Sequence, residues 1–433
     1  MLQMLSQTEN LRLSRRWINI ILASVGSGIE FYDFVVYAIF SHSIAVTFFP
    51  ANDVLVSLIA TYTVFAVSFL VRPVGGLVLS LYVDRYGRQP VLMASLLCIS
   101  LCALSMALLP SYATGGAAAS ITFIGFRLLQ SACFGGEVGN AITYVVEINP
   151  RKAGAACGIL FGMLGAGVII GTGINLVLTY LMPTELLSLY GWRLAFFLGG
   201  VLGLVSFSFR GRIAESPAFD QSRAGSPRIT LRTLWRLHRR SLFVGFGLCA
   251  ATGAGNGFIF AYLATFLGRS GGYGSSGSAM LVMSASICLC VVTPLIGWAS
   301  DHCSWIWLHR LGCFSLISLS WPLLFLLSSY PSRPYAILPV LGLAASVAVV
   351  NGSLGQLLAS LFPVQVRASG VTLSYNLAMG VFQALTPLTC IMLLKYTGIP
   401  SVPAAWIIAT AGIALLSGLL YKSSSATLGS VLR

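Results

Sequence analysis

The sequence predicts an all-α membrane protein of twelve transmembrane helices arranged as two six-helix bundles. Three observations carry that expectation. Only 8% of the 433 residues are charged and 57% are hydrophobic, whereas a soluble globular chain carries about 25% charged residues. The apolar material falls into twelve stretches, each near the roughly 20 residues that a helix needs to cross a bilayer. A polar, arginine-rich segment over 210–241 separates six of these stretches from the other six. A soluble enzyme or a soluble binding module is excluded before any motif is read.

The spans follow in order from apolar runs bounded by charged or Pro/Gly-rich breaks. The first, 17–45, starts behind Arg15 and Arg16; its flanks resemble a signal peptide, but it runs on past Glu30 and Asp33 to Phe49, so we read it as an uncleaved span. The second and third, 54–82 and 90–109, flank the loop that carries Asp84, Arg85 and Arg88. The fourth, 118–146, stops before Pro150; the fifth, 155–181, before Pro183; the sixth, 191–209, before Arg210. In the second half the spans are 242–268, 276–299, 308–329, 335–361, 369–394 and 402–421. This gives a bundle over 1–209, a cytoplasmic linker over 210–241 and a second bundle over 242–433.

The net charge of +14 comes from 25 Lys and Arg against 11 Asp and Glu. In a soluble protein it would point to nucleic acid; here cytoplasmic loops retaining basic residues explain it, and no nucleic-acid partner is implied. With both termini cytoplasmic, 19 of the 25 basic residues fall on inner segments and four on outer ones, which sets the orientation. The arginines of the linker suit anionic lipid headgroups. Ten cysteines are scattered without paired spacing and read as buried thiols. His302, Cys303 and His309 share one short region, but their spacing fits no standard metal site, and neither a metal nor a cofactor is expected.

An ionisable group at the bilayer centre costs roughly 3 kcal/mol on insertion scales and needs a reason to be there. Glu30 and Asp33 stand three residues apart and share a face of the first span. Arg127 and Glu137 lie on the fourth span, ten residues and so about 15 Å apart. At 1.5 Å per residue, Glu30 lies roughly 20 Å and Glu137 about 15 Å from the inner ends of their helices, while Asp33 and Arg127 fall in the outer halves. An Asp33–Arg127 pair is therefore geometrically allowed. Two acids near one arginine leave one carboxylate easy to protonate, which is how a proton site arises; the alternative is that the four charges only tie two helices together. Gly26 and Gly28 beside Glu30, and Gly135, Gly136 and Gly139 around Glu137, leave space near these acids. The second half has one acid after residue 221, Asp301. Its spans offer neutral groups instead: Asn256, Tyr262, Asn351, Gln356, Tyr375, Asn376 and Gln383. Such groups suit recognition of a polar solute, or simple interhelical hydrogen bonds.

These residues, in this order, resemble the major facilitator superfamily and, within it, the metabolite:proton symporters. The run Gly28-Ile-Glu-Phe-Tyr-Asp-Phe with Tyr37 is similar to the first-span signature of that family. Arg72-Pro-Val-Gly-Gly and Asp84-Arg-Tyr-Gly-Arg88 resemble its loop between the second and third spans. Arg127-x-x-Gln130, Gly135-Gly-Glu137 and Gly139, then Glu147 and Pro150, resemble the fourth-span motif; Gly191-Trp-Arg193, Glu215-Ser-Pro217, Phe362-Pro363, Val366-Arg367 and Tyr375-Asn376 complete the series. The resemblance implies two bundles around a central cavity and a cytoplasmic latch built from Asp84, Arg85, Gly87 and Arg88, with Glu147 as a partner and Asp301 in the matching second-half loop. The chain departs from the pattern at Ser80 and Val83, where the family has glycine, at Ser360, where an acid precedes the Phe-Pro pair, and in the loop after Gly297, which lacks basic residues.

The expectation is thus a monomeric, proton-coupled importer of a small polar metabolite, an organic acid first, in the bacterial cytoplasmic (inner) membrane. Glu30, Asp33 and Glu137 would handle the proton with Arg127. Arg127, Tyr37, Asn256, Tyr262, Tyr375, Asn376 and Gln383 would contact the solute. An exporter or exchanger of an organic acid or siderophore-like solute, and a transport-dead sensor, stay open as alternatives.

Overall fold

A computed structural model describes residues 2–51, 53–210, 231–270, 273, 275–329 and 333–421. These residues are almost entirely helical, with no strand among them. Eleven helices are long and apolar enough to cross a bilayer: Arg16–Ile39, Ile59–Val83, Gln89–Leu108, Tyr112–Ile148, Pro150–Leu181, Leu187–Phe209, Leu234–Gly268, Gly277–Ser300, Trp305–Ser329, Ala336–Ser360 and Val364–Thr397. A shorter apolar helix, Pro403–Leu419, takes the twelfth position. Helices satisfy their own backbone polar groups, which is what a hydrocarbon solvent demands. Leu70, Val74 and Val78, one turn apart on the second span, are exposed in a stripe that suits lipid.

Three departures from the expected boundaries have physical causes. The first span ends at Ile39 rather than running to 45, and a separate helix, Ser41–Phe48, follows. Phe48 stacks on Phe123 at 4.3 Å and meets Trp192 edge-on, so tertiary packing turns the chain where no Gly or Pro announces a break. The fourth helix begins formally at Tyr112, but Gly116 sits at φ +59°, a left-handed conformation that only glycine adopts cheaply, and the regular helix starts behind it. Residues 231–241, expected in the linker, are already helical and bend at His238 into the seventh span. The rest of that linker, 211–230, lies outside the described residues.

Within the first half the first span packs on the fifth and sixth, the second on the fourth, and the third on the fourth and sixth. In the second half the eighth and ninth pack on the tenth, and the seventh on the eleventh and twelfth. The halves meet where the fifth span lies along the eighth, and where the eleventh lies against the second and fourth. Close approach at the first of these contacts depends on Gly154, Gly158, Gly162 and Gly165. A Cβ on Gly154 would lie 2.5 Å from the Gly297 carbonyl oxygen and overlap Ser300 Oγ, and one on Gly158 would lie 3.0 Å from the Cα atoms of Gly297 and Pro294.

Candidate functional site: buried charges and a closed seam

The first polar group is centred on Arg127, which is 3% exposed in the middle of the fourth span. Its Nη1 donates to Asp33 Oδ2, in an ion pair between the fourth and first spans, and to Gln130 Oε1 at 2.8 Å. Gln130 Nε2 in turn donates to Asp33 Oδ1 at 3.2 Å. The guanidinium lies 4.5 Å from the centre of the Tyr37 ring, and the Tyr37 hydroxyl donates to the Thr61 carbonyl at 2.9 Å. Asp33, Arg127 and Gln130 therefore close a three-membered ring of charge-assisted hydrogen bonds, which is what makes burial of both charges tolerable. Arg127 Nε has no hydrogen-bond partner among the described residues. Aromatic side chains stand beside the ring: Phe34 is 5.2 Å from Phe65 and 5.9 Å from Phe69, and Tyr37 stacks on Phe65 at 5.4 Å.

Glu137 forms a second, separate site. It is wholly buried, and Ser95 Oγ on the third span donates to its Oε2 at 3.1 Å. Ten residues of helix keep it from Arg127, so among the described side chains the acid nearest that arginine is Asp33. The backbone of Glu30 lies in the first span, but its side chain lies outside the described residues.

The neutral groups of the second half divide between two places. Asn351 Nδ2 donates to Asn256 Oδ1 at 3.1 Å, joining the tenth span to the seventh. Asn256 Nδ2, Asn351 Oδ1, Gln356 Oε1 and Thr252 Oγ1 are buried with no partner among the described residues, an unusual concentration in an apolar bundle. Tyr262 and Gln383 end two π-helical turns, Phe258–Tyr262 and Met379–Gln383. These turns sit close because a Cβ on Gly257 would lie 2.7 Å from the Gln383 carbonyl oxygen. Such turns widen a helix by one residue and are frequent at functional sites.

Tyr375 and Asn376 are placed elsewhere, in the seam between the halves. Asn376 Nδ2 donates to the Gly135 carbonyl at 2.6 Å and to Thr372 O at 2.9 Å, and the Tyr375 ring stands 6.3 Å from Phe161 of the fifth span. The seam runs to the end of the molecule that holds Arg151, Lys152 and Arg310. There Arg367 Nη1 reaches Glu147 Oε1 at 3.3 Å while its Nε donates to the carbonyls of Ala359 and Phe362. Asp301 bridges the halves in another way: its Oδ1 accepts from Gly154 N–H at 2.7 Å and its Oδ2 from Ala155 N–H at 2.9 Å. These are orphan donors at the start of the fifth helix, where the helix dipole also favours an anion. Burial pushes the Asp301 carboxyl upward, and the two N–H bonds, with His302 and Lys152 nearby, pull it back in part.

The second-half loop thus needs no basic residues, since its acid is met by backbone. In the first-half loop Gly87 has φ +111°, which a side chain would strain, between the helices that end at Tyr86 and begin at Arg88. The side chains of Asp84, Arg85 and Arg88 lie outside the described residues. Val83, standing where the resemblance expects glycine, is fully buried in a small apolar cluster with Val91 and Ala368 of the eleventh span. Ser360 pairs its hydroxyl with Tyr421 at 2.7 Å.

Sequence reasoning did not select Ser95 or the N–H groups of Gly154 and Ala155, and it quoted Arg367 in a motif without giving it a role. Arg367 carried a signal, a cation at the start of a span opposite Glu147. Ser95 carried none, because serines are spread throughout these helices.

Residues 34–387 match the family profile described as Major Facilitator Superfamily. A proline/betaine transporter of Salmonella typhimurium is 29% identical over 93% of this chain and 83% of its own length. A glycine betaine/proline/ectoine/pipecolic acid transporter, OusA of Dickeya dadantii, is 30% identical over 93% of this chain and 82% of its own. Among solved structures, the proton:xylose symporter XylE bound to 6-bromo-6-deoxy-D-glucose superposes with a TM-score of 0.80 at 14% identity, covering 94% of this chain and 95% of that one.

Proposed function

This chain belongs to the Major Facilitator Superfamily, and from that premise we propose that it is a proton-coupled importer of a small carboxylate-bearing solute, working by alternating access in the bacterial cytoplasmic membrane. One observation carries the reading: an acid and an arginine, Asp33 and Arg127, are buried together at mid-span, and a second acid, Glu137, is buried apart from them. The paired site offers both signs at once. A zwitterion matches it better than a free anion, because Asp33 already offsets the cation that an anion would seek. Arg127 Nε is the donor for the solute carboxylate. The Phe34 and Phe65 rings suit an alkylated ammonium, whereas the Phe69 ring already carries the Arg72 guanidinium at 4.4 Å. Amino acids and betaines therefore stand ahead of plain organic acids, in keeping with the solutes in the names of the two relatives.

Glu137 takes the proton. A charged, enclosed carboxylate resists any movement that changes its surroundings, and protonation removes that resistance, so the loaded carrier reorients with less buried charge. Asp301 and the Glu147–Arg367 pair then open and close the inner end, with Asn256, Asn351, Tyr262 and Gln383 meeting the solute from the second half.

Uptake of labelled proline and glycine betaine into proteoliposomes under an imposed pH gradient tests this. We expect accumulation that collapses with the gradient, and a Glu137→Gln variant that still exchanges solute but no longer concentrates it. Accumulation indifferent both to the gradient and to Glu137→Gln would overturn the reading.

A further inference from the structure

Three thiols lie together between the third and fourth spans. Cys98 packs against a small apolar cluster of Ile99, Cys133 and Phe134, and Cys102 stands one helical turn further along the third span. No disulfide joins any of the three; Cys102 and Cys133 are buried, and Cys98 is half-buried.

Their placement follows from the register of the two antiparallel helices. The Ser95–Glu137 hydrogen bond fixes one rung. Moving three residues along the third span reaches Cys98, and moving four residues back along the fourth reaches Cys133, so these two form the next rung. The thiols thus stand one helical turn from the acid assigned to the proton. No part of the mechanism above uses them.

We propose that Cys98 and Cys133 form an oxidisable dithiol whose disulfide locks the third span to the fourth beside Glu137. The partner of Cys98 is Cys133 rather than Cys102 on geometric grounds. Residues four apart on one helix keep their Cβ atoms about 5–6 Å apart, whereas a disulfide needs about 3.5–4.5 Å; a Cys98–Cys102 bond would unwind the third span, and a bond between helices would not. The oxidant is a membrane-permeant two-electron acceptor of the diazenedicarboxamide class. One cysteine sulfur adds to its N=N bond; the second sulfur attacks the first, forms the S–S bond and expels the hydrazine nitrogen. The two thiols lose two electrons and two protons, and the reagent leaves as its hydrazine carrying both. The effect on transport rests on the role given to Glu137 above; the bond itself does not.

The test oxidises the purified full-length protein with diamide, alkylates the remaining thiols and maps the peptides without reduction. We expect Cys98 joined to Cys133 with the mass of two hydrogens missing, and two of the ten thiols lost to titration. The link persists in Cys102→Ser and disappears in Cys133→Ser. Uptake by oxidised wild-type protein falls and returns with a reductant, while Cys133→Ser keeps its own unoxidised rate. Alkylation of both cysteines after oxidation, or a bond from Cys98 to Cys102, overturns the assignment. A mapped Cys98–Cys133 bond with unchanged uptake overturns the lock while leaving the importer reading standing.

Discussion

The two halves share a six-helix plan but handle buried polarity differently. The first half buries Asp33, Arg127 and Glu137 within its spans, each held by at least one side-chain hydrogen bond, with Arg127 Nε left over among the described residues. Within its spans the second half buries amides and hydroxyls, leaves Asn256 Nδ2 and Asn351 Oδ1 without partners among the described residues, and carries π-helical turns in its seventh and eleventh spans, while its buried Arg367 sits at the seam on Glu147. Charge is expensive in hydrocarbon and is kept where its ionisation can be used; neutral donors and acceptors cost less and can stand unpaired until something polar arrives. The difference divides the labour on the reading proposed here: coupling in the first half, recognition shared with the second.

The strongest attempt to break that division is at Arg127. An Arg127→Ala variant leaves Asp33 buried without its cation, and removing one partner of a buried pair costs about 3–5 kcal/mol. We expect a large fall in the unfolding midpoint of the purified protein and no uptake. Replacing both charges, Asp33→Asn with Arg127→Gln, should recover most of the stability and none of the gradient-driven uptake. Recovery of both by the double variant would make the pair a packing device and erase the contrast between the halves.

A smaller effect is expected at the seam where the halves meet. Gly154→Val places carbon against the Gly297 carbonyl and Ser300, and overpacking of this kind costs about 1–3 kcal/mol, all of it charged to the closed inner end. Cys157 reports the outcome: it is fully buried, and a Cβ on Gly355 of the tenth span would stand 2.7 Å from its sulfur. Alkylation of Cys157 should quicken in the variant, and an unchanged rate would mean that this contact does not hold the seam.

Much of this was legible in the sequence, and the failures are instructive. Twelve spans and their order followed from solvent physics, because every helix in a bilayer must be long and apolar. Depth arithmetic allowed the Asp33–Arg127 pair, since two rare charges on neighbouring helices at one level have few other partners. Boundaries failed where tertiary packing overrode local signals, as at Ile39, which turns for the sake of Phe48. Asn376 was legible as a buried hydrogen-bonding group, but not as a tie to Gly135, because sequence gives the depth of a residue and not the face it presents. The π-helical turns had only a faint trace, the closely spaced Gly253, Gly255 and Gly257.

In the second half, Asn351→Ala removes the donor to Asn256 Oδ1 and leaves that amide unsatisfied, at a cost of about 1–3 kcal/mol. We expect a raised KM for uptake with little change in kcat or in its pH profile. A shifted pH profile would place coupling in the second half too and dissolve the division of labour.

The smallest effect is expected at Asp301, the one acid of the second half, and its sign can be derived. Burial in the closed seam raises its carboxyl above the ordinary value of 3.8, whereas an opened loop would return it towards that value. Closure therefore takes up a proton within the window between the two. Its proton-linked advantage is complete below 3.8 and is lost as pH rises through the raised value. The charged form is still held by Gly154 and Ala155 N–H, and the carboxyl is half-buried, so solvent screens most of the effect. Alkylation of Cys157, normalised at each pH to an Asp301→Asn variant, should rise as pH climbs through this window and level off above it. Superimposable profiles, or a slope of opposite sign, would show that the acid acts as a fixed helix cap and leave proton sensitivity to the first half alone.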